Sequence, residues 1–163
     1  GSVTLKDLYP DGDSEDEYTI EGEFVANNYT KNTLKFERGV LAMARGDYTS
    51  ISSSLKTQSY NSAGSQFFIM VKDTPRLNGQ YAAFGRVLEG MDIVDQIVNL
   101  ETATETNKET GETTTTDTPV DKPVIESITV ETYGKDYGNP TTQKPFDYMS
   151  YLMSLYNSSS SSK

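Results

Sequence analysis

The segment Gln66-Phe67-Phe68-Ile69-Met70-Val71 is the strongest strand signal in the chain. It is an unbroken run of aromatic and aliphatic residues about as long as one strand. The other apolar segments are equally short. Gly39-Val40-Leu41-Ala42-Met43-Ala44 reads as a buried strand entered through a glycine. Ala82-Ala83-Phe84-Gly85-Arg86-Val87 reads as a further short strand, after turns marked by Pro75, Asn78 and Gly79. Only 34% of the residues are hydrophobic, and eleven tyrosines supply much of the aromatic surface. Short apolar runs parted by polar stretches rich in Gly, Ser, Thr and Asn predict a mainly β domain with long loops, not a helical bundle. At 163 residues the chain is one domain in length and long enough to bury a core.

Outside these strands the pattern changes. Residues 89–100 place Met91, Ile93, Val94, Ile97, Val98 and Leu100 at helical spacing, which predicts one helix with its stripe in the core. Residues 19–24 suggest a short extended segment. Residues 47–63, with four serines among positions 50–54, read as a long loop. Residues 101–118 hold nine threonines and a single apolar side chain, Ala103, and read as a low-complexity loop. Residues 122–132 alternate well enough for a final strand. Pro145 opens a short amphipathic helix carrying Phe146, Met149, Leu152, Met153 and Tyr156 on one face. Such a helix is too short to persist undocked. The serines 158–162 read as a disordered tail.

Composition removes whole classes of chemistry. There is no cysteine and no histidine. Disulfides, thiolate nucleophiles, imidazole or thiolate zinc sites and every triad that uses histidine are therefore excluded. Fourteen basic and 24 acidic residues give a net charge of −10, which repels a phosphate backbone and argues against nucleic acid. No apolar run approaches the roughly 20 residues of a membrane helix, and no signal-like stretch opens the chain. The absence of thiols is compatible with a bacterial cytoplasm and with export to the cell surface alike. Residues 1–17 form an acidic N-terminal loop. Asp11, Asp13 and Glu15 alternate as a calcium loop begins, but Asp16 stands where the turn glycine belongs and Gly22 where the closing glutamate belongs. No metal site is predicted, and no cofactor.

Four stretches carry a family resemblance. They are Arg38-Gly39-Val40-Leu41-Ala42-Met43-Ala44, Ala63-Gly64-Ser65-Gln66-Phe67-Phe68-Ile69, Leu77-Asn78-Gly79-Gln80-Tyr81-Ala82-Ala83-Phe84-Gly85-Arg86-Val87 and Glu89-Gly90-Met91-Asp92-Ile93-Val94-Asp95. In this order and at these spacings they resemble the cyclophilins, the cyclosporin-binding peptidyl-prolyl cis-trans isomerases or rotamases. The resemblance covers about residues 18–100 and resumes over 122–134. Tyr81, where other members have histidine, makes it look closest to bacterial members.

The resemblance implies a site. Gln66, Phe68 and Tyr81 would be its catalytic residues, and Ala44, Arg45 and Leu77 its substrate-binding ones. Phe68, Leu77 and Tyr81 would form part of a proline socket, with Gln66 bonding near the carbonyl and Tyr81 donating its hydroxyl or packing. Ala44 and Arg45 would offer backbone groups to the substrate chain. Phe67, on the opposite face of the strand, is expected in the core. Arg76 stands where many members carry a tryptophan that favours cyclosporin, and reads as a surface arginine. The partners implied are proline-containing peptides or unfolded proteins, and cyclosporin.

The fold implied is an antiparallel barrel capped by helices, incomplete here, with one capping helix and an added C-terminal helix. The family's opening strands, its first helix and its Phe-His-Arg segment have no match in this sequence, and neither has its arginine. On this reading residues 18–134 are the cyclophilin-like domain, 135–157 an extension and 158–163 a tail. A second chain or a second copy completes the barrel, or the chain is part of a longer product.

Overall fold

A strand with a core on one side must alternate, and residues 40–43 do. The computed structural model describes residues 3–8, 14 and 16–160. In it β2 (Val40–Met43) buries Val40 and Ala42 while Leu41 and Met43 are half-buried. It is the centre of a three-stranded sheet, between β3 (Phe67–Ile69) and β4 (Ala83–Arg86). β2 and β3 run antiparallel, with Leu41 opposite Ile69, Ala42 opposite Phe68 and Met43 opposite Phe67. Gly39 enters the strand at φ 87, a left-handed conformation that a side chain resists, and its N–H donates to Met70 O at 2.7 Å.

Phe36, Val40, Ala42, Met70 and Ala83 form the buried cluster, with Phe68, Leu77 and Tyr81 packed on it. Burying one phenylalanine such as Phe36 is worth about 2–3 kcal/mol. A second packing centre lies where Phe24, fully buried, meets Tyr60 edge-on at 5.1 Å. The chain divides into two compact units, Gly1–Gly85 with Asn139–Lys163, and Arg86–Gly138. The sheet, up to Gly85 of β4, and both packing centres belong to the first.

Other elements of the first unit are small. α1 (Leu5–Leu8) and a bridge between Thr4 and Glu17 stand where an acidic loop was expected. Asp11, Asp13 and Glu15 lie outside the described residues. β1 (Thr19–Ile20) pairs antiparallel with β7 (Thr142–Gln143). The expected loop over 47–63 instead contains a 3₁₀ turn (Ser53–Leu55) and α2 (Lys56–Tyr60), burying Leu55 and Ser59. The serines read as loop formers act here as caps: Ser52 Oγ accepts from Ser54 N.

α4 (Tyr148–Ser160) begins three residues after the expected start, because Asp147 rather than Pro145 caps it. The Asp147 carboxylate accepts from Ser150 N at 2.9 Å and Ser150 Oγ at 2.7 Å. The helix takes in residues 158–160 of the expected tail; 161–163 lie outside the described residues. Its attachment differs from expectation. Phe146 and Tyr148 pack on Tyr48, with centroids 5.2 and 5.5 Å apart, whereas Met149, Met153 and Tyr156 are exposed. Backbone and side-chain bonds from Ser150, helped by nearby Lys144, hold the Asp147 carboxyl below the usual aspartate range. A lowered folded pKa contributes stability that is complete above the unfolded value near pH ~4 and lost as pH falls through the folded one. The amide of Ser150 is therefore expected to stay protected from exchange between pH 7 and about pH 5. It should lose protection below about pH 4, while Asp147→Asn abolishes that pH dependence.

Within the second unit, α3 (Met91–Val98) is the expected helix, opened by Gly90 at φ 87. Its stripe is not core: Ile93, Ile97 and Val98 are exposed. Two expectations fail here. Residues 101–118 are not a loop but a β-hairpin, β5 (Thr102–Thr106) with antiparallel β6 (Thr113–Pro119). Threonine is β-branched and favours strands, so a threonine repeat scores as low complexity and still pairs. The turn has its own chemistry, with Asn107 Oδ1 accepting from Glu109 N and Thr110 N and Gly111 at φ 73. Residues 122–132 form no strand, and Val124, Ile128 and Val130 are exposed at 80, 68 and 77%. Alternation supplies a face but not a partner, and a strand needs both.

The assigned pairings are antiparallel, in sheets of two, three and two strands, and the barrel is not closed.

Candidate functional site

The residues singled out from sequence fall into two adjoining groups. The first is aromatic. Phe68, at the middle of β3, is half-buried and meets Tyr81 edge-on at 5.6 Å. Phe36 lies beneath both, stacked on Phe68 at 6.2 Å and edge-on to Tyr81 at 6.4 Å. Leu77 joins them from a 3₁₀ turn (Pro75–Leu77) that Pro75 opens and Gly79, at φ 70, follows. Edge-to-face packing fixes ring positions more tightly than burial alone. The result is an apolar patch whose floor is the core and whose rim is half-exposed. Phe67 does not take the core position expected of it. It is 39% exposed, because Phe68 is the neighbour that alternation turns toward Phe36. Arg76 is exposed, as expected.

The second group lines a cleft of about 340 Å³, to which Ala44, Arg45, Gly46, Gly64, Ser65 and Gln66 contribute. Ala44 N donates to Gln66 O at 2.9 Å, so this backbone donor is engaged within the fold. Ser62 Oγ accepts from Gly46 N at 2.7 Å. The lining is mixed: Val3, Tyr18 and Pro145 add apolar surface to the small residues, and Glu17, Arg45, Ser62 and Gln66 add polar groups, a combination that an extended peptide can meet.

Arg45 joins the two groups. Its guanidinium carbon lies 4.5 Å from the centre of the Tyr81 ring, 5.0 Å from that of Tyr60 and 5.7 Å from that of Phe24. Its Nε donates to Gln80 O at 3.2 Å, and Nη1 donates to Gly46 O at 3.2 Å and Ser59 Oγ at 3.1 Å. Ser59 is fully buried and donates onward to Gly46 O at 2.7 Å. Three rings and three acceptors thus hold the charge inside the fold, which a planar fork does and an ammonium does not.

Sequence reasoning missed several of these supports. Phe24 and Phe36 sit in stretches with too few apolar residues to show a period. Tyr60 and Ser59 sat in a presumed loop. Asn61, whose Oδ1 accepts from Gly22 N at 3.1 Å and Asn27 Nδ2 at 2.8 Å, was equally silent. Only the buried Gly22 gives a hint. A Cβ there would run into the Tyr60 carbonyl and the Phe24 ring. Among the described residues no three acidic side chains cluster to hold a metal ion, and no helix is long and apolar enough to cross a membrane.

The family model described as "Cyclophilin type peptidyl-prolyl cis-trans isomerase/CLD" matches residues 2–130. A peptidyl-prolyl cis-trans isomerase of Acinetobacter baylyi is 44% identical over 82 residues, which are 47% of this chain and 38% of that protein. A probable peptidyl-prolyl cis-trans isomerase of Brucella abortus is 50% identical over 62 residues, 38% of this chain and 26% of that protein. The NK-tumor recognition protein of Homo sapiens is 37% identical over 86 residues, half of this chain and 5% of that protein. The chain spans well under half the length of each of these relatives.

Proposed function

Because the chain belongs to the cyclophilin-type peptidyl-prolyl cis-trans isomerase family, whose model it matches over residues 2–130, we propose that it binds Xaa-Pro segments of unfolded proteins and favours their isomerisation. The observation that carries this reading is the contact of Phe68 with Tyr81 at 5.6 Å, which with Leu77 makes a half-buried apolar patch on the core.

The chemistry asks for little more. Conjugation stiffens the prolyl C–N bond, with a barrier of about 18–20 kcal/mol, and rotation needs no covalent step. A protein lowers the barrier by binding the twisted amide better than either planar form. In this proposal Phe68, Leu77 and Tyr81 hold the ring. Gln66 bonds near the rotating carbonyl, the Tyr81 hydroxyl donates beside it, and the cleft at Ala44 and Arg45 takes the flanking backbone. Cyclosporin, a cyclic peptide, is a ligand for the same patch. Residues 18–134 act as the isomerase-type domain and 135–157 as an extension. The exposed alternation of Val124, Ile128 and Val130 supports completion of the barrel by a second chain or copy.

One observation favours a second reading, a proline-peptide-binding module without catalysis. Arg45 is committed to internal acceptors, and the family's arginine has no match in this sequence. Both readings share one test. Titration with a blocked Ala-Ala-Pro-Phe peptide should move the side-chain NMR signals of Phe68, Leu77 and Tyr81 together. Phe68→Ala should weaken the affinity about tenfold, by loss of apolar contact of about 1.4 kcal/mol. Shifts that leave Phe68 and Tyr81 unmoved would remove the site from this patch.

A further inference from the structure

The chain places a proline of its own in the cleft just described. β7 pairs with β1, Thr142 opposite Ile20 and Gln143 opposite Thr19, and the backbone runs on through Lys144, Pro145 and Phe146. Pro145 is half-buried and lines the cleft to which Ala44, Arg45 and Gln66 contribute. The segment is held on both sides of that proline. Before it, Gln143 Nε2 donates to Asn61 O at 3.3 Å in addition to the strand pairing. After it, Phe146 and Tyr148 pack on Tyr48, and Asp147 caps α4.

An Xaa-Pro-aromatic segment clamped against a peptide-sized cleft has the chemistry of the ligand proposed for this domain. We infer that Gln143-Lys144-Pro145-Phe146 is an intramolecular competitor, which substrate residues flanking a proline must displace. This rests on the proposed peptide-binding function of the same site. The holding contacts are few: a two-residue ladder, one exposed side-chain bond and two ring contacts on Tyr48. The strap therefore exchanges with an open form rather than sealing the cleft. A tethered segment has an effective concentration in the millimolar range, and a ligand's apparent affinity falls by the fraction of open molecules. The expected penalty is about three- to tenfold.

The test uses the full chain and the variant Phe146→Ala/Tyr148→Ala, which removes the stack on Tyr48 and leaves the cleft and Pro145 intact. The probe is the blocked peptide Gln-Lys-Pro-Phe, followed by the amide signals of Gly46, Gly64 and Ser65. The variant should bind it about three- to tenfold more tightly than the parent. Its Gln143 amide, opposite Thr19 in the β1–β7 ladder, should exchange faster, while that of Ile20, which donates to Ala63 O, and those of β2 and β3 are unchanged. Equal affinity in both proteins, or no shift at these amides in either, overturns the inference. Shifts at Phe68 and Tyr81 that are the same in both proteins would keep the proline patch and discard the strap. Tighter binding by the variant at Gly64 and Ser65 without movement of Phe68 or Tyr81 would keep the strap and discard the patch. If the double variant loses protection in β2, Tyr48→Ala releases the stack from its other side and the same readings apply.

Discussion

A sample containing only these 163 residues is expected to catalyse prolyl isomerisation at least about 10²-fold more slowly than the Acinetobacter baylyi relative assayed beside it, while binding proline peptides with affinity within about tenfold. The two quantities separate because they draw on different groups. Binding a planar Xaa-Pro segment uses the apolar patch of Phe68, Leu77 and Tyr81 and the cleft at Ala44. Acceleration requires a donor that bonds more strongly to the twisted amide than to the planar one. Removing one preorganised donor typically costs on the order of 10²–10³ in rate. The chain has four arginines. Arg38 donates to Val71 O at 2.8 Å at the far end of β3, and Arg45 faces inward. Arg76 is exposed on the 3₁₀ turn, and Arg86 lies at the end of β4. Exchange spectroscopy on a test peptide measures the rate, and titration of the same sample measures the affinity. A rate equal to that of the relative, from a sample shown by intact mass to hold only this chain, would defeat the expectation. It would also assign the donor's task to Gln66 and Tyr81 alone.

The sequence made the centre of the fold legible and its margins opaque, for physical reasons. β2, β3, β4 and α3 were readable because their apolar residues recur at the period of the element and glycines or prolines bound them. The pairing of Phe68 with Tyr81 and Leu77 came through a family resemblance, since no local pattern links residues in a strand with others nine and thirteen positions on. The failures share a cause. Residues 122–132 have the alternation of a strand, but pairing is non-local and no partner meets them. Residues 101–118 have the composition of a loop, yet β-branched threonines and an Asn107-to-Gly111 turn are enough for a hairpin. Ser59 and Asn61 become structural only when folding brings Arg45 and Gly22 to them, 14 and 39 positions away. Phe67 and Phe68 show the limit of alternation. It says that the two part company, and only the position of Phe36 decides which one faces the core.

Arg45 bears the heaviest load outside the apolar cluster. Arg45→Ala is expected to lower unfolding free energy by about 2–4 kcal/mol, a drop in Tm of about 5–15 °C for a chain of this size. The reasoning runs through what is left behind. Truncation removes a cation from the faces of Tyr81, Tyr60 and Phe24 and strips donors from Gln80 O, Gly46 O and Ser59 Oγ. Gly46 O keeps the Ser59 hydroxyl at 2.7 Å, so its loss is partial. Ser59 Oγ still accepts from Tyr48 N, at a longer 3.4 Å. Cation–ring attraction contributes about 0.5–2 kcal/mol according to exposure, and each hydrogen bond from a charged donor about 1.5–3. Arg45 is only half-buried, so the sum falls toward the low end of those figures. Arg45→Lys should recover less than half of the loss, because an ammonium keeps the charge over Tyr81 but lacks the planar fork that reaches Gln80 O and Ser59 Oγ together. Ser59→Ala should be non-additive with Arg45→Ala, since the two share a bond; a coupling of at least about 0.5 kcal/mol is expected in the double-mutant cycle. Function follows from the same geometry. The guanidinium lies against the Tyr81 ring, whose edge contact with Phe68 forms the patch, so Arg45→Ala should also weaken proline-peptide binding by loosening Tyr81. Tyr81→Phe, which keeps the ring and removes the hydroxyl, separates the two effects: it should leave Tm within about 1 °C of the parent. Thermal unfolding of the four single variants and the double variant decides the matter. An Arg45→Ala chain that melts with its parent would show the cation to be dispensable and leave Tyr81 held by Phe36 and Phe68.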